Sequence, residues 1–358
     1  MVNIASSIYG AAAAWRRHWY GRNPSRQRRL SQPVISVGNL SVGGAGKTPV
    51  VAYLARLLAE QGERPCILSR GYGRSRDRRL VTVVSDGMHV LADLARAGDE
   101  PLMLARSLPG VPVIVGPSRY RSGQLAEERF EVTVHLLDDG FQHLQLGRDV
   151  DLLVTSERDL TDRPIPAGRL REPVMVARQA DAALVDAGYD LAAERVRRAL
   201  GVPAAFRLVR TPGAPRVIAT GETVVVPSDE PVFAVAGIAR PERFFADLAS
   251  AGWRLAGTMS FRDHHMFSRR DVARIVAAAR AAGASIVMTT EKDAVRLDGQ
   301  DFGDAPVASV PLTVSVEPAA AFSNWLRDRL QRARVSRHPA PTRPDTENPE
   351  PRTQNLLL

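Results

Sequence analysis

The chain has 358 residues, 44% hydrophobic and 24% charged, a balance typical of a folded protein too long for one small core. Its single cysteine, Cys66, excludes an intrachain disulfide, which fits a reducing cytoplasm. The net charge of +9 is concentrated at the N-terminus, because no Asp or Glu precedes Glu60 while eight Lys and Arg residues do. A basic N-terminus is typical of contact with anionic lipid or with nucleic acid.

The first segment has apolar residues at helical spacing, so one helix face would carry Ile4, Ile8, Ala12, Trp15 and Trp19. The apolar stretch is shorter than the roughly 20 residues that span a bilayer, and it lacks the charge order and cleavage pattern of a signal peptide. Tryptophans with neighbouring arginines are typical of a helix lying in the membrane interface, and a helix packed on the protein's own surface is the alternative. We predict a membrane-interface helix in residues 1–24.

A phosphate-binding loop follows. Residues 33–39 predict a short buried strand and residues 48–61 a helix, with a glycine-rich loop between them. A P-loop requires this order, because backbone N–H groups and the helix N-terminus then surround phosphate oxygens. Lys47 would reach the β- and γ-phosphates and Thr48 would bind Mg²⁺, although Ser41 stands where the standard pattern has glycine. The predicted ATP-binding residues are Ser41, Val42, Gly43, Gly44, Ala45, Gly46, Lys47 and Thr48.

Residues 132–137 predict a second buried strand that ends in Asp138 and Asp139. Carboxylates delivered beside the phosphates are the second half of an NTPase site, and one of them would hold Mg²⁺ directly or through water. A plain Asp-Gly turn is the alternative. Gln142 and His143 follow closely and carry polar groups that could reach substrate or nucleotide.

Polar residues also follow the predicted strand over residues 65–68 and precede the helix predicted over residues 102–108. In an open α/β sheet, loops at the strand ends form the ligand crevice. Arg70 lies in the first of these loops and Asp99 in the second. Asp99 is either a helix N-cap or the group that orients or deprotonates a substrate hydroxyl.

The second half of the chain repeats the α/β alternation after a segment rich in Pro, Gly and Thr. We predict a P-loop domain over residues 25–210, a linker with β-like runs over 211–230 and a second, smaller α/β domain over 231–335. The composition of residues 336–358 predicts a disordered tail.

Two polar clusters end predicted strands of the second domain. The run Asp263-His264-His265 is either a zinc site short of ligands, a His–Asp pair acting on the phosphate or its acceptor, or a structural loop. The second cluster contains Lys292, which with Lys47 makes up all the lysine among 48 basic residues. This usage is typical of positions that need a compact ammonium, and chance retention of lysine, above all at Lys292, is the alternative. The sequence leaves open whether Lys292 touches nucleotide or braces the second domain.

With these motifs in order, the chain resembles the tetraacyldisaccharide 4′-kinase family of lipid A biosynthesis. The resemblance covers about residues 4–330 and is specific because seven motifs occur together, whereas a lone P-loop is not specific. They are ISVGNLSVGGAGKTP (35–49), SRGYGR (69–74), GDEP (98–101), LLDDGFQH (136–143), PAGRLREP (166–173), FRDHHMF (261–267) and TTEKDAVRL (289–297). The P-loop with Ser41 is similar to the family's own form.

The resemblance implies a P-loop NTPase-like three-layer α/β domain joined by a β-linker to a smaller α/β domain. It implies transfer of the ATP γ-phosphate to the 4′-hydroxyl of a tetraacylated glucosamine disaccharide 1-phosphate, with Mg²⁺ as cofactor. It also implies peripheral association of the N-terminal helix with an anionic membrane, at the cytoplasmic face of the bacterial inner membrane. We expect no nucleic acid and no obligate protein partner.

Carried onto this chain, the resemblance implies that Asp99 acts near the acceptor hydroxyl, with His264 as the favoured partner, and that Asp139 also serves catalysis. Thr48, Asp138 and Asp139 would hold Mg²⁺. The residues expected to bind substrate are Arg70, Gln142, His143, Arg171 and His265.

Other functions stay open from the residues alone. A different P-loop kinase or synthetase would act on a soluble acceptor and need no lipid. A nucleic-acid-binding ATPase is suggested by the net charge, but the basic excess lies beside tryptophans rather than along a groove. A regulatory switch would hydrolyse nucleotide without any acceptor.

Overall fold

The computed structural model describes residues 2–44, 46–189 and 191–337. Its helices are α1 (Val2–Arg22), α2 (Lys47–Glu60), α3 (Leu94–Ala97), α4 (Asp99–Ser107), α5 (Arg119–Arg129), α6 (Leu191–Leu200), α7 (Pro241–Ser250), α8 (Arg269–Ala281), α9 (Glu291–Leu297) and α10 (Ala319–Arg337). Short 3₁₀ helices cover Pro24–Arg26, Glu157–Thr161 and Val174–Gln179.

The strands alternate with these helices along much of the chain. They are β1 (Val34–Gly38), β2 (Pro65–Ser69), β3 (Thr82–Asp86), β4 (Pro112–Val115), β5 (Val134–Asp138), β6 (Val150–Thr155), β7 (Ala182–Asp186), β8 (Ala204–Pro212), β9 (Arg216–Val217), β10 (Pro231–Ala236), β11 (Arg254–Ser260), β12 (Ile286–Thr290), β13 (Val307–Val310) and β14 (Leu312–Glu317). The α/β class predicted from the sequence is confirmed.

The larger sheet has the strand order β14-β8-β7-β6-β1-β5-β2-β4-β3. Its interior strands are parallel, and the edge strands β3 and β14 pair in the antiparallel sense. Successive residues of a strand point to opposite faces, so Ile35 of β1 packs with α2, α4 and α10, whereas Val34 packs on the side of α5. The sheet therefore lies between two helical layers, and the carboxyl ends of β1 and β5 meet beside each other.

The smaller sheet has the strand order β11-β10-β12-β13-β9, parallel except for β9. It also has helices on both faces, because Val232 and Ala234 of β10 pack with α7 while Phe233 and Val235 pack with α8. The alternation of strands and helices predicted for this half of the chain results from these helices packing on the two faces of the sheet. The carboxyl ends of β12 and β13 face a cavity between the two sheets.

The chain returns to the larger sheet after leaving the smaller one, and this corrects two predicted boundaries. We expected the second domain to extend over residues 231–335, but β14 pairs with β8 and α10 packs on the core of the larger sheet. The P-loop domain was expected to end at residue 210, but β8 continues to Pro212. The predicted tail lies outside the described residues from 338 onward, and residues 336 and 337 end α10.

Helix α1 presents its apolar residues away from the protein. Ile4, Ile8 and Trp15 are each about two-thirds exposed, while Ser6 and Arg17 are buried against the larger sheet's loops. Within the described residues, no helix is both long enough and apolar enough to cross a bilayer.

Candidate active site

The P-loop has the backbone geometry that a glycine-rich turn allows. Gly43 and Gly46 adopt φ angles of 97° and 78°, in the left-handed region that favours glycine, and α2 begins at Lys47 directly after the second of them. The Lys47 ammonium donates a 2.9 Å hydrogen bond to Oδ1 of Asn39 and lies 3.3 Å from Asp139. Lys47 is thus held at the carboxyl end of β1, where a phosphate would meet the helix N-terminus.

A second loop braces the start of the P-loop. The Val42 amide donates to the Arg169 carbonyl at 2.7 Å, and the Arg171 amide donates to the Leu40 carbonyl at 2.6 Å. This ladder buries Ser41 and explains how serine is accommodated where the standard pattern has glycine. The same ladder directs the Arg171 side chain to Asp139, at 2.7 Å.

The acidic pair lies at the end of β5, beside the P-loop. Asp138 is buried, and its Oδ1 atom has no hydrogen-bond partner within the described part of the chain. Burial, followed by the charges of Glu100 and Asp139, raises the pKa of Asp138 to about 7. Asp139 has a φ of 53°, in the left-handed region that few residues other than glycine adopt. Burial would raise the pKa of Asp139, but the charges of Lys47 and Arg171 outweigh it and hold that pKa below the usual range.

Asp99 and His264 meet across the two sheets. His264 Nδ1 lies 2.7 Å from Oδ2 of Asp99, and the other Asp99 oxygen accepts the Glu100 amide. The N-cap of α4 is Gly98, so Asp99 is the first residue of the helix and its alternative role as the cap is wrong. His264 has a φ of 58°, which adds a second strained backbone position at this site.

Two cations surround the pair. The Lys292 ammonium lies 3.0 Å from Glu100, 3.4 Å from Asp263 and 3.3 Å from Nε2 of His264. The Arg296 guanidinium lies 3.7 Å from Asp99. Burial alone would raise the pKa of Asp99, but the hydrogen bond from His264 and the charges of Lys292 and Arg296 hold it below the usual value.

Most of these groups line one cavity of about 950 Å³ between the two sheets. Most of the predicted site residues line it: Val42, Gly43, Gly44, Gly46, Lys47, Thr48, Arg70, Asp138, Asp139, Gln142, His143, Arg171 and His264. Ser41 lies behind the loop, Ala45 lies outside the described residues, and Asp99 is buried behind His264.

His265 does not line the cavity. Its Nε2 atom lies 3.1 Å from Asp271, whose carboxylate accepts the backbone N–H of the N-cap residue Ser268 at the start of α8, and its ring stacks on Phe261. Since the side chain is used within the smaller sheet's own loops, the predicted contact of His265 with substrate has no support from this geometry. Among the described residues there is no group of three His, Cys, Asp or Glu side chains placed to hold a metal ion, so the zinc alternative has no support either.

Several residues of the site were not singled out by sequence. Asn39 anchors Lys47, Arg119 is buried near Asp138, Arg296 lies beside Asp99, and Arg240 lines the cavity. Burial, before any neighbouring charge, lowers the pKa of Arg119 to about 10. Asn39 and Arg296 both lie inside quoted motifs, and for Asn39 a polar residue ending a buried strand is the signal that could have found it. The arginines lack such a signal because this chain uses arginine almost everywhere.

Comparison with known proteins decides the family. The sequence profile described as tetraacyldisaccharide-1-P 4′-kinase matches residues 1–331. The chain belongs to this family. The family and the kinase class predicted from the sequence are thereby confirmed.

Individual relatives agree with this assignment. Tetraacyldisaccharide 4′-kinase of Geobacter metallireducens is 42% identical over 83% of this chain and 88% of its own length. The protein of the same name from Geobacter sulfurreducens is 40% identical over 88% of this chain and 89% of its own length. A crystal structure of LpxK from Aquifex aeolicus in complex with ATP is 32% identical, with a TM-score of 0.72 over 91% of this chain and 97% of that one. The P-loop kinase fold predicted from the sequence is therefore confirmed.

Proposed function

We propose that this kinase transfers the γ-phosphate of ATP to the 4′-hydroxyl of a tetraacylated glucosamine disaccharide 1-phosphate, a step of lipid A biosynthesis. The observation that carries the proposal is the meeting of a P-loop lysine and a carboxylate–imidazole pair on one cavity between two sheets. Phosphoryl transfer depends on positioning and charge stabilisation, and these groups supply both.

The nucleotide phosphates bind at the N-terminus of α2. Lys47 and the backbone N–H groups of the P-loop surround them, with Thr48 at the first turn of the helix. The smaller sheet contributes Arg240, whose side chain has neither an ion pair nor a hydrogen bond to any described residue. It follows Ala239, which approaches Gly43 and Gly44, so Arg240 is available to stabilise negative charge on the transferred phosphate.

The residues at the end of β5 fit a magnesium ion. Asp138 has a buried oxygen without a partner, and hard oxygen ligands such as Thr48, Asp138 and Asp139 are those that Mg²⁺ takes beside phosphates. When bound, Mg²⁺ neutralises charge on the phosphate oxygens. Ion pairs with Arg171 and Lys47 orient the Asp139 carboxylate.

The proton of the acceptor hydroxyl goes to the Asp99–His264 pair. His264 lines the cavity with 27% of its side chain exposed, whereas the Asp99 side chain is 6% exposed and lies behind it. Nε2 of His264 is thus the atom that the hydroxyl reaches, and Asp99 stabilises the imidazolium that forms. The hydroxyl oxygen forms a bond to the γ-phosphorus while the bond between the γ-phosphorus and the β–γ bridging oxygen breaks. ADP leaves with the electron pair of the broken bond.

The exposed face of helix α1 supports attachment of the protein to a membrane. Its exposed face carries Ile4, Ile8 and Trp15, while Tyr9 and Arg16 of the same helix line the cavity. A helix with tryptophan on one side and arginine beside it lies in the interface of an anionic bilayer. We therefore infer peripheral attachment to the cytoplasmic face of the bacterial inner membrane, where a lipid acceptor can enter the cavity without leaving the bilayer.

The cavity mouth suits an acceptor that carries phosphate and sugar hydroxyls. Arg16 and Arg70 supply positive charge, and Gln142 supplies an amide. Burial first, and then nearby arginines, lower the pKa of His143 to about 4, so this residue is neutral at physiological pH and can both donate and accept a hydrogen bond.

Transfer of labelled γ-phosphate from ATP to the disaccharide 1-phosphate in mixed micelles tests the proposal. We expect label on the lipid with the intact protein and a loss of at least about 100-fold with Lys47→Ala, because the phosphate loses its main cation. ATP turnover without label on the lipid would contradict the proposal and favour a kinase or synthetase acting on a soluble acceptor.

A further inference from the structure

Both lysines of the chain line the same cavity. Lys47 and Lys292 are the only lysines among 48 basic residues, and they lie on opposite walls, one at the start of α2 and the other in α9. The P-loop accounts for Lys47. The proposed phosphoryl transfer has so far given Lys292 no role.

Lys292 has an environment that a lysine fits and an arginine does not. Its ammonium has three donors, and three acceptors surround it: Oε1 of Glu100, Oδ1 of Asp263 and Nε2 of His264, at 3.0, 3.4 and 3.3 Å. These acceptors come from α4 of the larger sheet and from the loop before α8 of the smaller one. A planar guanidinium presents its N–H groups in a fixed fork and cannot be shared among three separate directions in this way.

The contact with His264 fixes the state of the imidazole. A lysine ammonium only donates, so Nε2 of His264 is the acceptor and carries no proton. The proton of the neutral ring is then on Nδ1, from which it is donated to Asp99. The nitrogen that faces the cavity is thereby kept free to accept a proton.

We propose that Lys292 is a positioning residue for the Asp99–His264 pair, holding Nε2 of His264 unprotonated and aimed into the cavity until the acceptor hydroxyl takes its place. The inference rests on the proposed function, because it assigns Lys292 a part in the same proton transfer. Displaced by the hydroxyl, the ammonium remains at the cavity wall, where negative charge on the phosphate attracts it.

The charges around the pair set the expected pH dependence. The groups that face it are Glu100 beside Asp99 in α4, Asp263 in the preceding loop, Tyr72 against the imidazole ring, and Lys292 and Arg296 from α9. The pair must be unprotonated to act, so activity rises with pH through its apparent pKa. A positive charge at Lys292 opposes protonation, and its removal therefore moves this acid limb to higher pH.

The test is the pH profile of kcat/KM for the lipid acceptor, from about pH 5 to about pH 9. In Lys292→Met and Lys292→Gln we expect the acid limb to move up by about one pH unit, since both variants remove the charge. Lys292→Arg restores the charge but not the three-way contact, so the limb should return to its original position while kcat stays reduced. Arg280→Met, which removes an exposed charge from α8, serves as the matched control and should leave the profile unchanged.

Each result decides the matter. Acid limbs of Lys292→Met and Lys292→Gln that coincide with the original, despite a lower rate, would overturn the proposal and leave Lys292 as a structural brace between the sheets. Thermal melting shows whether either variant is unfolded, and Lys292→Gln decides the test if the apolar variant does not fold. Failure of the unmodified protein to label the lipid would instead defeat the proposed function, and this inference with it.

Discussion

A single buried ion pair ties the N-terminal helix to the active-site loops. Arg17 and Glu172 are 2% and 3% exposed, and the guanidinium contacts both carboxylate oxygens, at 2.6 and 3.1 Å. Arg17 also donates to the Phe141 carbonyl at 2.7 Å and lies over the Phe141 ring. Glu172 directly follows Arg171, which donates a hydrogen bond to Asp139. One short segment therefore contacts both helix α1 and the acidic pair.

Arg17→Met should therefore destabilise the fold more than an ordinary surface change. The variant leaves the Glu172 carboxylate buried without its partner, which costs about 3–5 kcal/mol of unfolding free energy. Urea denaturation measures the effect. Arg16→Met, at the neighbouring exposed position, should cost no more than about 0.5 kcal/mol. Equal, small losses in both variants would show that the ion pair does not stabilise the helix.

Residue roles were predictable where a short segment contains the whole chemical pattern. Lys47 and Thr48 follow a glycine-rich turn, and Asp138 ends an apolar strand, so the local sequence predicted their position at the cavity. Arg119 reaches the site from a helix without such a signature, and the motif that contains Arg296 does not indicate its partner Asp99. Both contacts depend on the packing of distant segments. His265 shows the reverse, since its position next to His264 gave no information about the direction of its side chain.

Helix α1 has its polar side, not its apolar side, against the protein. Ser6 donates to the Pro164 carbonyl and accepts from the Ala167 amide, and Gly10 lies against Pro164 and Pro173. These contacts fix the helix without using its isoleucines or tryptophans. A bilayer interface is the environment in which the exposed apolar face would be buried.

We expect loss of membrane binding when that face becomes polar. Ile8→Ser combined with Trp15→Ser removes two exposed apolar side chains, and their burial in the interface is worth about 1.5–3 kcal/mol each. Cosedimentation with vesicles containing anionic phospholipid should show at least about a tenfold weaker association. Val225→Ser changes an exposed apolar residue in the segment that leads to the smaller sheet and should bind as before. Unchanged binding of the double variant would exclude α1 as the attachment site.

Elements were predicted well where the period and the terminal signals agree. Helix α7, in the half where alternating strands and helices were predicted, begins at Pro241 and ends at Ser250, because proline suits the first turn of a helix and the apolar residues recur at helical spacing. The last two residues of β8 were instead predicted as the start of the linker. The alternating burial of β8 is the pattern of a strand near a sheet edge, and β14, its antiparallel partner on the outer side, lies about a hundred residues further along.

The whole molecule depends on this long-range return of the chain. Helix α10 inserts Phe322 between Tyr53 of α2 and Phe206 of β8, and Trp325 packs beside it. The P-loop helix α2 therefore rests on a segment from the opposite end of the described chain. The buried residues Phe322, Leu326 and Leu330 of α10 recur at helical spacing, but nothing within the helix indicates which sheet it covers.

Phe322→Ala should lower the unfolding free energy of the domain that contains the larger sheet, although Phe322 does not line the cavity. Removing a fully buried phenylalanine costs about 3–5 kcal/mol, because the cavity left behind is only partly filled by relaxation. Denaturant unfolding of the full chain measures this loss, and Phe322→Leu should recover part of it. A loss below about 1 kcal/mol for the alanine variant would contradict the packing of α10 on α2.

At the same scale, two sheets enclose one cavity and supply opposite halves of its chemistry, with the P-loop on one side and His264 on the other. Asp99→Asn tests it most directly, because the amide keeps the shape of the side chain but cannot stabilise an imidazolium. We expect turnover of the lipid acceptor to fall by about 10²–10⁴-fold while the Kd for ATP changes by less than about twofold. Turnover within about threefold of the original, at unchanged ATP affinity, would contradict the account.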